Sequence, residues 1–419
     1  MTSAADNEMF NVDELVAPAW LNTQFLEEVL IEHGKTPELK VVDVKISPAS
    51  VKGDHYASVM FRALVSYTTQ AGDQSKSLII KTMPEQEGHK KDMVGSSQIF
   101  VTEIGMYTKA LPKFEEMLRE AGDNTKLYVP CIYHSLEPRQ VMIFEDLLPE
   151  GYTIIRKRDP TVAELKTAFQ KLAKWHACSF KVLNEQPDFL QEFKYGLFTM
   201  HSVLETSYFT AGMGTFIGLL EEIPEFRKYV PHFNKIKADY VHQMRAIFRE
   251  YYENRKPNGY YVLGHCDFHA RNMMFKHKED GSVEDVMLLD FQMSNICPIT
   301  SDIIYSVYML MGPEERHNNY KELIDYYFSE FLATLQKIGY KGELPTSAEF
   351  WKKISQHKIC DFFLVSTFLP MMGCLQLKDF DPVELMQKEE ARKPLYRLDS
   401  YVKDIKFLLA RYEEQGYFE

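Results

Sequence analysis

Cysteine pairs and concentrated positive charge are both scarce in this sequence. The six cysteines are dispersed and form no Cys-X-X-Cys pair, a pattern typical of a reduced, intracellular protein. Acidic residues outnumber basic ones by 60 to 48, which gives a formal net charge of −12. The acidic balance and the lack of a concentrated basic face argue against non-specific binding to nucleic acid, and we expect a cytoplasmic protein without a nucleic-acid partner.

Long apolar runs are missing as well. The most apolar stretch, residues 362–377, contains Ser, Thr, Pro and Gly and is too short to cross a bilayer, so we predict a buried helix there. The first residues are acidic and lack the charged-then-apolar pattern of a secretory signal, and we expect residues 1–17 to form a mobile leader.

Strand patterns and helix patterns are distributed unevenly along the chain. Alternating apolar and polar residues predict about five strands before residue 147, together with a long helix over 97–119. Helical periodicity dominates from residue 161 onward. This order predicts an α+β fold with a small antiparallel-sheet N-terminal lobe, residues 18–147, and a larger, mainly helical C-terminal lobe, residues 148–419. A nucleotide would lie in the cleft between such lobes, since clefts are preferred ligand sites.

The most informative stretch runs from Tyr260 to Asp302. Two short apolar strands, over 260–263 and 286–289, are each followed by polar side chains at the point where rigid scaffold meets loop. These side chains are His265, Asp267 and Asn272 after the first strand, and Asp290 and Gln292 after the second. The turn at residues 281–282, Gly-Ser, predicts a hairpin that brings Asp290 back beside Asn272.

Asp267, Asn272 and Asp290 follow one another in the order needed to transfer a phosphoryl group from a magnesium nucleotide. Asp267 would accept the proton of the attacking hydroxyl, and the oxygens of Asn272 and Asp290 would hold Mg²⁺ on the phosphates of ATP. Any one of these residues alone is more simply explained by a hydrogen bond to its own backbone at a turn. A zinc site in the His-Cys-Asp-Phe-His segment 265–269 is a weaker alternative, because structural zinc usually needs four ligands.

Three further positions are candidates for nucleotide binding. Lys81 ends the third predicted strand, where its ammonium could point inward to phosphates or simply reach solvent at the strand end. Glu103, on the helix over 97–119, could pair with Lys81 and orient it, although alone it would be a solvated helix residue. The segment Glu145–Leu147 follows a strand, and its backbone could read an adenine edge at a hinge or form an ordinary strand exit.

Together these motifs resemble the ecdysteroid kinase-like family, small-molecule kinases distantly akin to choline and aminoglycoside phosphotransferases. The resemblance rests on HCDFHARNMMF at 265–275, LLDFQ at 288–292, LIIKT at 78–82, FEDL at 144–147, LAKWHACSF at 172–180 and GDHYASVMFR at 53–62. It implies a bilobal protein-kinase-like fold. It also implies an ATP- and Mg²⁺-dependent phosphotransferase that acts on a hydroxyl of a small apolar alcohol, such as an ecdysteroid or a hydroxylated xenobiotic.

Carried over motif by motif, the resemblance assigns a role to each candidate. Asp267 would be the catalytic base, and Asn272 and Asp290 would be the magnesium ligands. The nucleotide-binding residues would be Lys81 for the phosphates, Glu103 to orient the lysine, Glu145 and Leu147 at the hinge, and Gly53 in the covering loop. Asp302 resembles the aspartate that braces the catalytic loop in this family.

Two departures from the family pattern stand out. Cys266 occupies the position between the catalytic-loop His and Asp where the family usually has glycine. If this position needs a positive φ, the cysteine strains the loop by about 1–3 kcal/mol. The covering loop is also poor in glycine, with Gly53 alone. These departures motivate a second hypothesis, a catalytically silent protein of the same fold that binds an apolar ligand or a partner.

Overall fold

The structure, a computed structural model, describes residues 14–50, 58–84, 98–199, 204–376 and 382–419. Its strands are β1 Lys40–Pro48, β2 Val59–Thr69, β3 Gly72–Thr82, β4 Cys131–Ser135, β5 Val141–Glu145, β6 Tyr152–Thr153, β7 Tyr261–Gly264, β8 Met273–His277, β9 Val283–Leu288 and β10 Asn295–Pro298. Its α-helices are α1 Thr23–Gly34, α2 Ile99–Gly105, α3 Leu111–Glu120, α4 Val162–Glu185, α5 Ser207–Thr210, α6 Gly212–Glu222, α7 Val230–Ile236, α8 Tyr240–Phe248, α9 Glu250–Glu253, α10 Thr300–Met309, α11 Pro313–Asn318, α12 Tyr320–Lys337, α13 Ser347–Gln356, α14 Lys358–Ser366, α15 Phe368–Met371, α16 Pro382–Gln387, α17 Glu389–Arg392 and α18 Asp399–Glu414.

The described residues divide into two compact units. The N-terminal unit contains the residues up to Lys109 together with Tyr128–Thr153 and Met287–Gln292. The helical unit contains Ala110–Leu127, Ile154–Val286 and the residues from Met293 onward. The predicted α+β class, with an antiparallel sheet in the N-terminal part and a mainly helical remainder, is confirmed. The lobe boundary at residues 147 and 148 stays a prediction.

The N-terminal unit is built on a five-stranded sheet with the order β1-β2-β3-β5-β4. All its neighbouring strands run antiparallel. Burial alternates along β2, because successive side chains point to opposite faces of a sheet. The buried face packs on the apolar stripe of α1, whose side chains Leu26, Val29 and Leu30 belong to the same core. This rigid sheet holds Lys81 at the end of β3.

The chain between residues 99 and 120 is helical, as predicted, but it is not one regular α-helix. A π-helical segment, Met106–Ala110, lies between α2 and α3. The side chain of Glu103 is buried on α2 rather than solvated. The solvated alternative for this residue is therefore wrong.

The strand pairing around the catalytic stretch differs from the prediction in one respect. The turn at Gly281 does form a hairpin, but the strands that it joins are β8 and β9. Strand β7 pairs antiparallel with β10 instead, with Gly264 opposite Asn295. The reason is local: the loop from residue 265 to 272 turns the chain away from β7, so that β8 begins only at Met273.

The apolar stretch over 362–377 was expected to form one buried helix, and this expectation is wrong. Helix α14 ends at Ser366, and the short helix α15 and a 3₁₀ segment follow. Pro370 has no N–H to donate to the carbonyl of Ser366, so the hydrogen-bond ladder is interrupted there. The hydroxyl of Tyr396 donates to that carbonyl instead, at 2.6 Å. Across the described ranges, no helix combines the length and apolarity required to cross a bilayer.

Candidate active site

Lys81 lies at the centre of a buried ion cluster in the N-terminal unit. Its Nζ donates to Oε2 of Glu103 at 2.5 Å and to Oδ1 of Asp290 at 2.8 Å. The lysine and glutamate side chains are almost fully buried, while Asp290 retains 20% of its exposure. The sheet fixes the lysine, since Lys81 is paired with Met60 on one side and Met142 on the other. The structure thus brings together three residues that are far apart in sequence.

Burial and charge pairing have opposite effects on the ionisable groups of this cluster. Burial disfavours the ammonium of Lys81, but Asp290 and Glu103 outweigh that penalty and raise its pKa. Burial raises the pKa of Glu103, and the charge of Lys81 opposes the rise. When both carboxyl groups are ionised, the single ammonium between them leaves a formal charge of about −1. The cluster is therefore suited to a further cation.

Asp290 sits in a sharp bend of the chain directly after β9. Its φ is +60°, in the left-handed region, where aspartate is tolerated better than most residues. Its Oδ2 accepts from Nε2 of Gln292 at 3.2 Å. The bend turns the carboxylate toward Lys81, which orders one of its two oxygens and leaves the side chain partly exposed.

Asp267 is the focus of a second cluster, in the helical unit. Its Oδ1 accepts from the hydroxyl of Tyr305 at 2.6 Å and faces Nε2 of His269 at 3.4 Å. Its Oδ2 accepts from Nδ2 of Asn272 at 2.9 Å. Burial alone would raise the pKa of Asp267, but His269 and Tyr305 outweigh that effect and lower it. The carboxylate is consequently charged at neutral pH.

Asn272 is oriented by its own amide group. Nδ2 donates to the backbone carbonyl of Asp267 at 3.0 Å as well as to its carboxylate. Both amide protons are thereby directed at Asp267, so Oδ1 points away from it. An amide oxygen directed away from the base is a suitable ligand for a hard cation.

Asp302 braces the loop that carries the base, as the family resemblance implied. Its Oδ2 accepts from the backbone N–H of His265 at 2.6 Å, and its Oδ1 accepts from that of Cys266 at 2.7 Å. Oδ2 also lies 3.0 Å from Nε2 of His176. The other ring nitrogen of His176 contacts the hydroxyl of Tyr327 at 2.6 Å, so this histidine has partners on both nitrogens.

Cys266 adopts the conformation that makes glycine the usual residue here. Its φ is +63°, so the cysteine side chain is held in the left-handed region. Its Sγ lies 3.3 Å from Oδ1 of Asn295 and 3.9 Å from Sγ of Cys297, and burial raises its pKa. The thiol is thus packed against β10 and does not face Asp267.

The zinc alternative finds no support in this geometry. His269 accepts from the backbone N–H of Arg271 with Nδ1, at 3.2 Å, and directs Nε2 at Asp267. The thiol of Cys266 faces a different strand, as described above. Within the described ranges, no group of three or more His, Cys, Asp or Glu side chains is arranged to hold a metal ion by itself.

The candidate hinge after β5 is held by Asp146 rather than by its neighbours. The Oδ2 atom of Asp146 accepts from Nε of Arg62 and from the hydroxyl of Ser77, each at 2.7 Å. The carboxylate of Glu145 is half-exposed and pairs with Lys76 at 2.6 Å, while Leu147 is buried. Adenine binding by Glu145 and Leu147 therefore stays a prediction about their backbone. The predicted contribution of the Gly53 loop lies outside the described residues.

Two residues beside the base were not found from the sequence. Tyr305 donates to Asp267, and His269 faces it, although His269 was considered only as a zinc ligand. A usable signal for Tyr305 existed: it lies three positions after Asp302 in a predicted helix, and such residues share one helix face. Asp302 was thus identified before the structure was known, but Tyr305, which contacts Asp267 from the same helix, was not.

Comparison with solved structures found an aminoglycoside phosphotransferase, APH(4)-Ia, as a thermostable mutant in a ternary complex with ADP and hygromycin B. Its sequence is 11% identical to this chain, the match covers 82% of this chain and 99% of that one, and the TM-score is 0.31. No curated protein matches the chain. The sequence model of the ecdysteroid kinase-like family matches residues 52–340, which is most of the chain. The chain therefore belongs to the ecdysteroid kinase-like family.

Proposed function

We propose that this protein is an ATP- and Mg²⁺-dependent kinase that phosphorylates a hydroxyl of a small apolar alcohol, such as an ecdysteroid or a hydroxylated xenobiotic. Membership of the ecdysteroid kinase-like family supports a small-molecule kinase in general. The observation that carries the proposal is the buried cluster of Lys81, Glu103 and Asp290. A strand lysine held by a helix glutamate and by a metal-binding aspartate is the arrangement that kinases use to order phosphates.

In this proposal the residues of the N-terminal unit bind the nucleotide. Lys81 contacts the phosphates, and Glu103 fixes the position of its ammonium. Asp290, together with Oδ1 of Asn272, would hold Mg²⁺, which when bound neutralises the charge on the phosphates. The donor set fits this ion, because it offers carboxylate and amide oxygens and a formal negative charge. The proposal requires both clusters to act on the same nucleotide.

Asp267 is the base in the proposed reaction. It accepts the proton of the acceptor hydroxyl while the oxygen of that hydroxyl forms a bond to the terminal phosphorus of ATP. The bond between this phosphorus and the bridging oxygen breaks, and ADP leaves with the electron pair. A lowered pKa keeps Asp267 deprotonated throughout the neutral range, which is the form that a base requires.

An apolar acceptor is supported by the side chains next to the base. The ring of Tyr305 packs edge to face on Phe368, with centroids 6.0 Å apart. Phe368 is only half-buried, and it contacts further aromatic rings of the helical unit, namely Phe198, Tyr208, Phe209 and Phe363. A hydroxyl that reaches Asp267 would bring the body of the acceptor close to this aromatic group.

ADP formation from ATP, measured with a panel of sterols, ecdysteroids and hydroxylated xenobiotics, tests the proposal. Asp267→Asn and Asp290→Asn should each lose most of the turnover. A matched control is Asp43→Asn, which removes an exposed carboxylate on β1. Unchanged turnover in Asp267→Asn or in Asp290→Asn would refute the proposed mechanism.

A catalytically silent protein that binds an apolar ligand or partner is the second candidate, and the positive φ of Cys266 motivates it. The melting temperature with and without millimolar Mg-ATP separates the two candidates, because a ligand that binds the folded state stabilises it. We expect a clear rise that disappears in Lys81→Ala. The absence of a rise in the wild-type protein would favour the silent protein.

A further inference from the structure

The hydroxyl of Tyr305 makes the shortest contact to the candidate base. Tyr305 is 5% exposed, and its hydroxyl donates to Oδ1 of Asp267 at 2.6 Å. A buried phenol that bonds to a carboxylate forms a strong, charge-assisted hydrogen bond. The family resemblance assigned no role to this residue.

The position of Tyr305 on α10 makes this contact rigid. Asp302 and Tyr305 are three residues apart, on one face of the same helix. Asp302 holds the backbone N–H groups of His265 and Cys266, while Tyr305 holds the side chain of Asp267. One helical turn therefore fixes both the backbone and the carboxylate of the catalytic loop.

The hydrogen bonds also give the two carboxylate oxygens of Asp267 different roles. A carboxylate oxygen has about two acceptor sites. Oδ1 faces two donors, Tyr305 and His269. Within the described part of the chain, Oδ2 accepts one side-chain hydrogen bond, from Asn272. The site with room for an incoming hydroxyl is therefore on Oδ2.

We infer that Tyr305 is a positioning residue of the transfer reaction, which holds Oδ1 of Asp267 so that Oδ2 receives the proton of the acceptor. This inference rests on the proposed function. Without Tyr305 the carboxylate can rotate about its χ2 angle, and a base that is displaced from the acceptor hydroxyl transfers protons more slowly.

Tyr305→Phe tests the inference, with Tyr401→Phe as its control. Tyr401 is equally buried, at 5% exposure, and also donates a 2.6 Å hydrogen bond, but to the backbone carbonyl of Val365. We expect Tyr305→Phe to lower kcat by about 10- to 100-fold, with the KM for ATP unchanged. Tyr401→Phe should change the melting temperature without lowering kcat.

The outcomes separate this inference from the proposed function. A wild-type protein that forms no ADP with water or with any acceptor would refute the proposed function. A wild-type protein that turns over, with Tyr305→Phe equal to it at every pH, would refute the role of Tyr305 alone.

Discussion

Replacement of Asp361 by asparagine should make the protein more stable above neutral pH and less sensitive to pH. Asp361 lies on α14, where it is 6% exposed and accepts a hydrogen bond from the hydroxyl of Tyr308. Burial raises its pKa to about 6, although the Tyr308 hydrogen bond and the charge of Arg411 oppose the rise. At pH 7 and above, the folded protein therefore contains a buried carboxylate whose ionisation is unfavourable.

The size of this pH effect follows from the difference between the pKa of Asp361 in the folded and in the unfolded protein. The carboxyl group ionises at about pH 6 in the folded protein and near its ordinary value of 3.8 when unfolded. The folded state thus binds this proton more tightly, so its contribution to stability is complete below pH 3.8 and is lost as the pH rises through 6. One pH unit of difference is worth about 1.36 kcal/mol, so the loss is about 3 kcal/mol.

Urea unfolding followed by tryptophan fluorescence measures this effect. The measurements extend from about pH 4.5 to about pH 8, a range that includes the ionisation of Asp361 in the folded protein. The free energy of unfolding of Asp361→Asn, relative to the wild type, should increase by about 2 kcal/mol across that range, because about a third of the total loss falls below the lowest pH measured. Asparagine keeps an oxygen that can accept from Tyr308, which limits other changes. Asp43→Asn, an exposed control on β1, should show no such trend. A difference between Asp361→Asn and wild type that is the same at every pH would refute the reasoning.

Three further predictions concern the candidate site. Cys266→Gly should keep or increase turnover, whereas Cys266→Val should lower both turnover and melting temperature. The reason is that β-branched residues tolerate a positive φ poorly. Equal activity of the two variants would contradict this prediction. Asp302→Asn should reduce the free energy of unfolding by about 1–3 kcal/mol and lower kcat, since an amide N–H of the asparagine would face a backbone N–H. An unchanged melting curve would contradict this prediction. Asp146→Ala should weaken Mg-ATP binding, measured by calorimetry, more than Glu145→Ala does. Asp146 holds Arg62 and Ser77, whereas the half-exposed pair of Glu145 with Lys76 contributes about 0–1 kcal/mol. The reverse order of the two effects would contradict this prediction.

The sheet and the ion cluster in the N-terminal unit were largely accessible from the sequence. Strands with alternating burial, such as β2, carry a period of two that is visible in the residues themselves. Lys81 could be assigned to a strand end in the same way. Its pairing with Glu103 was predicted only because of the catalytic stretch downstream, since no local pattern reveals which residue of a distant helix lies beside a lysine.

Features that depend on tertiary hydrogen bonds were not accessible. Pro370, which interrupts the helix after Ser366, is visible in the sequence, but its compensation by the hydroxyl of Tyr396 depends on a residue far along the chain. The pairing of β7 with β10 likewise depends on where the intervening hairpin of β8 and β9 is accommodated. Short strands of four to six residues in this region have no register signal strong enough to choose a partner.

The strain at Cys266 and the hydrogen bonds of α10 can be compared directly. A positive φ at a residue with a side chain disfavours the loop conformation by about 1–3 kcal/mol. Asp302 and Tyr305 oppose this with charge-assisted hydrogen bonds to His265 N, Cys266 N and the carboxylate of Asp267. Each such bond contributes about 1.5–3 kcal/mol, so together they exceed the strain. The cysteine is therefore compatible with an ordered base, and its presence alone is a weak argument for a catalytically silent protein.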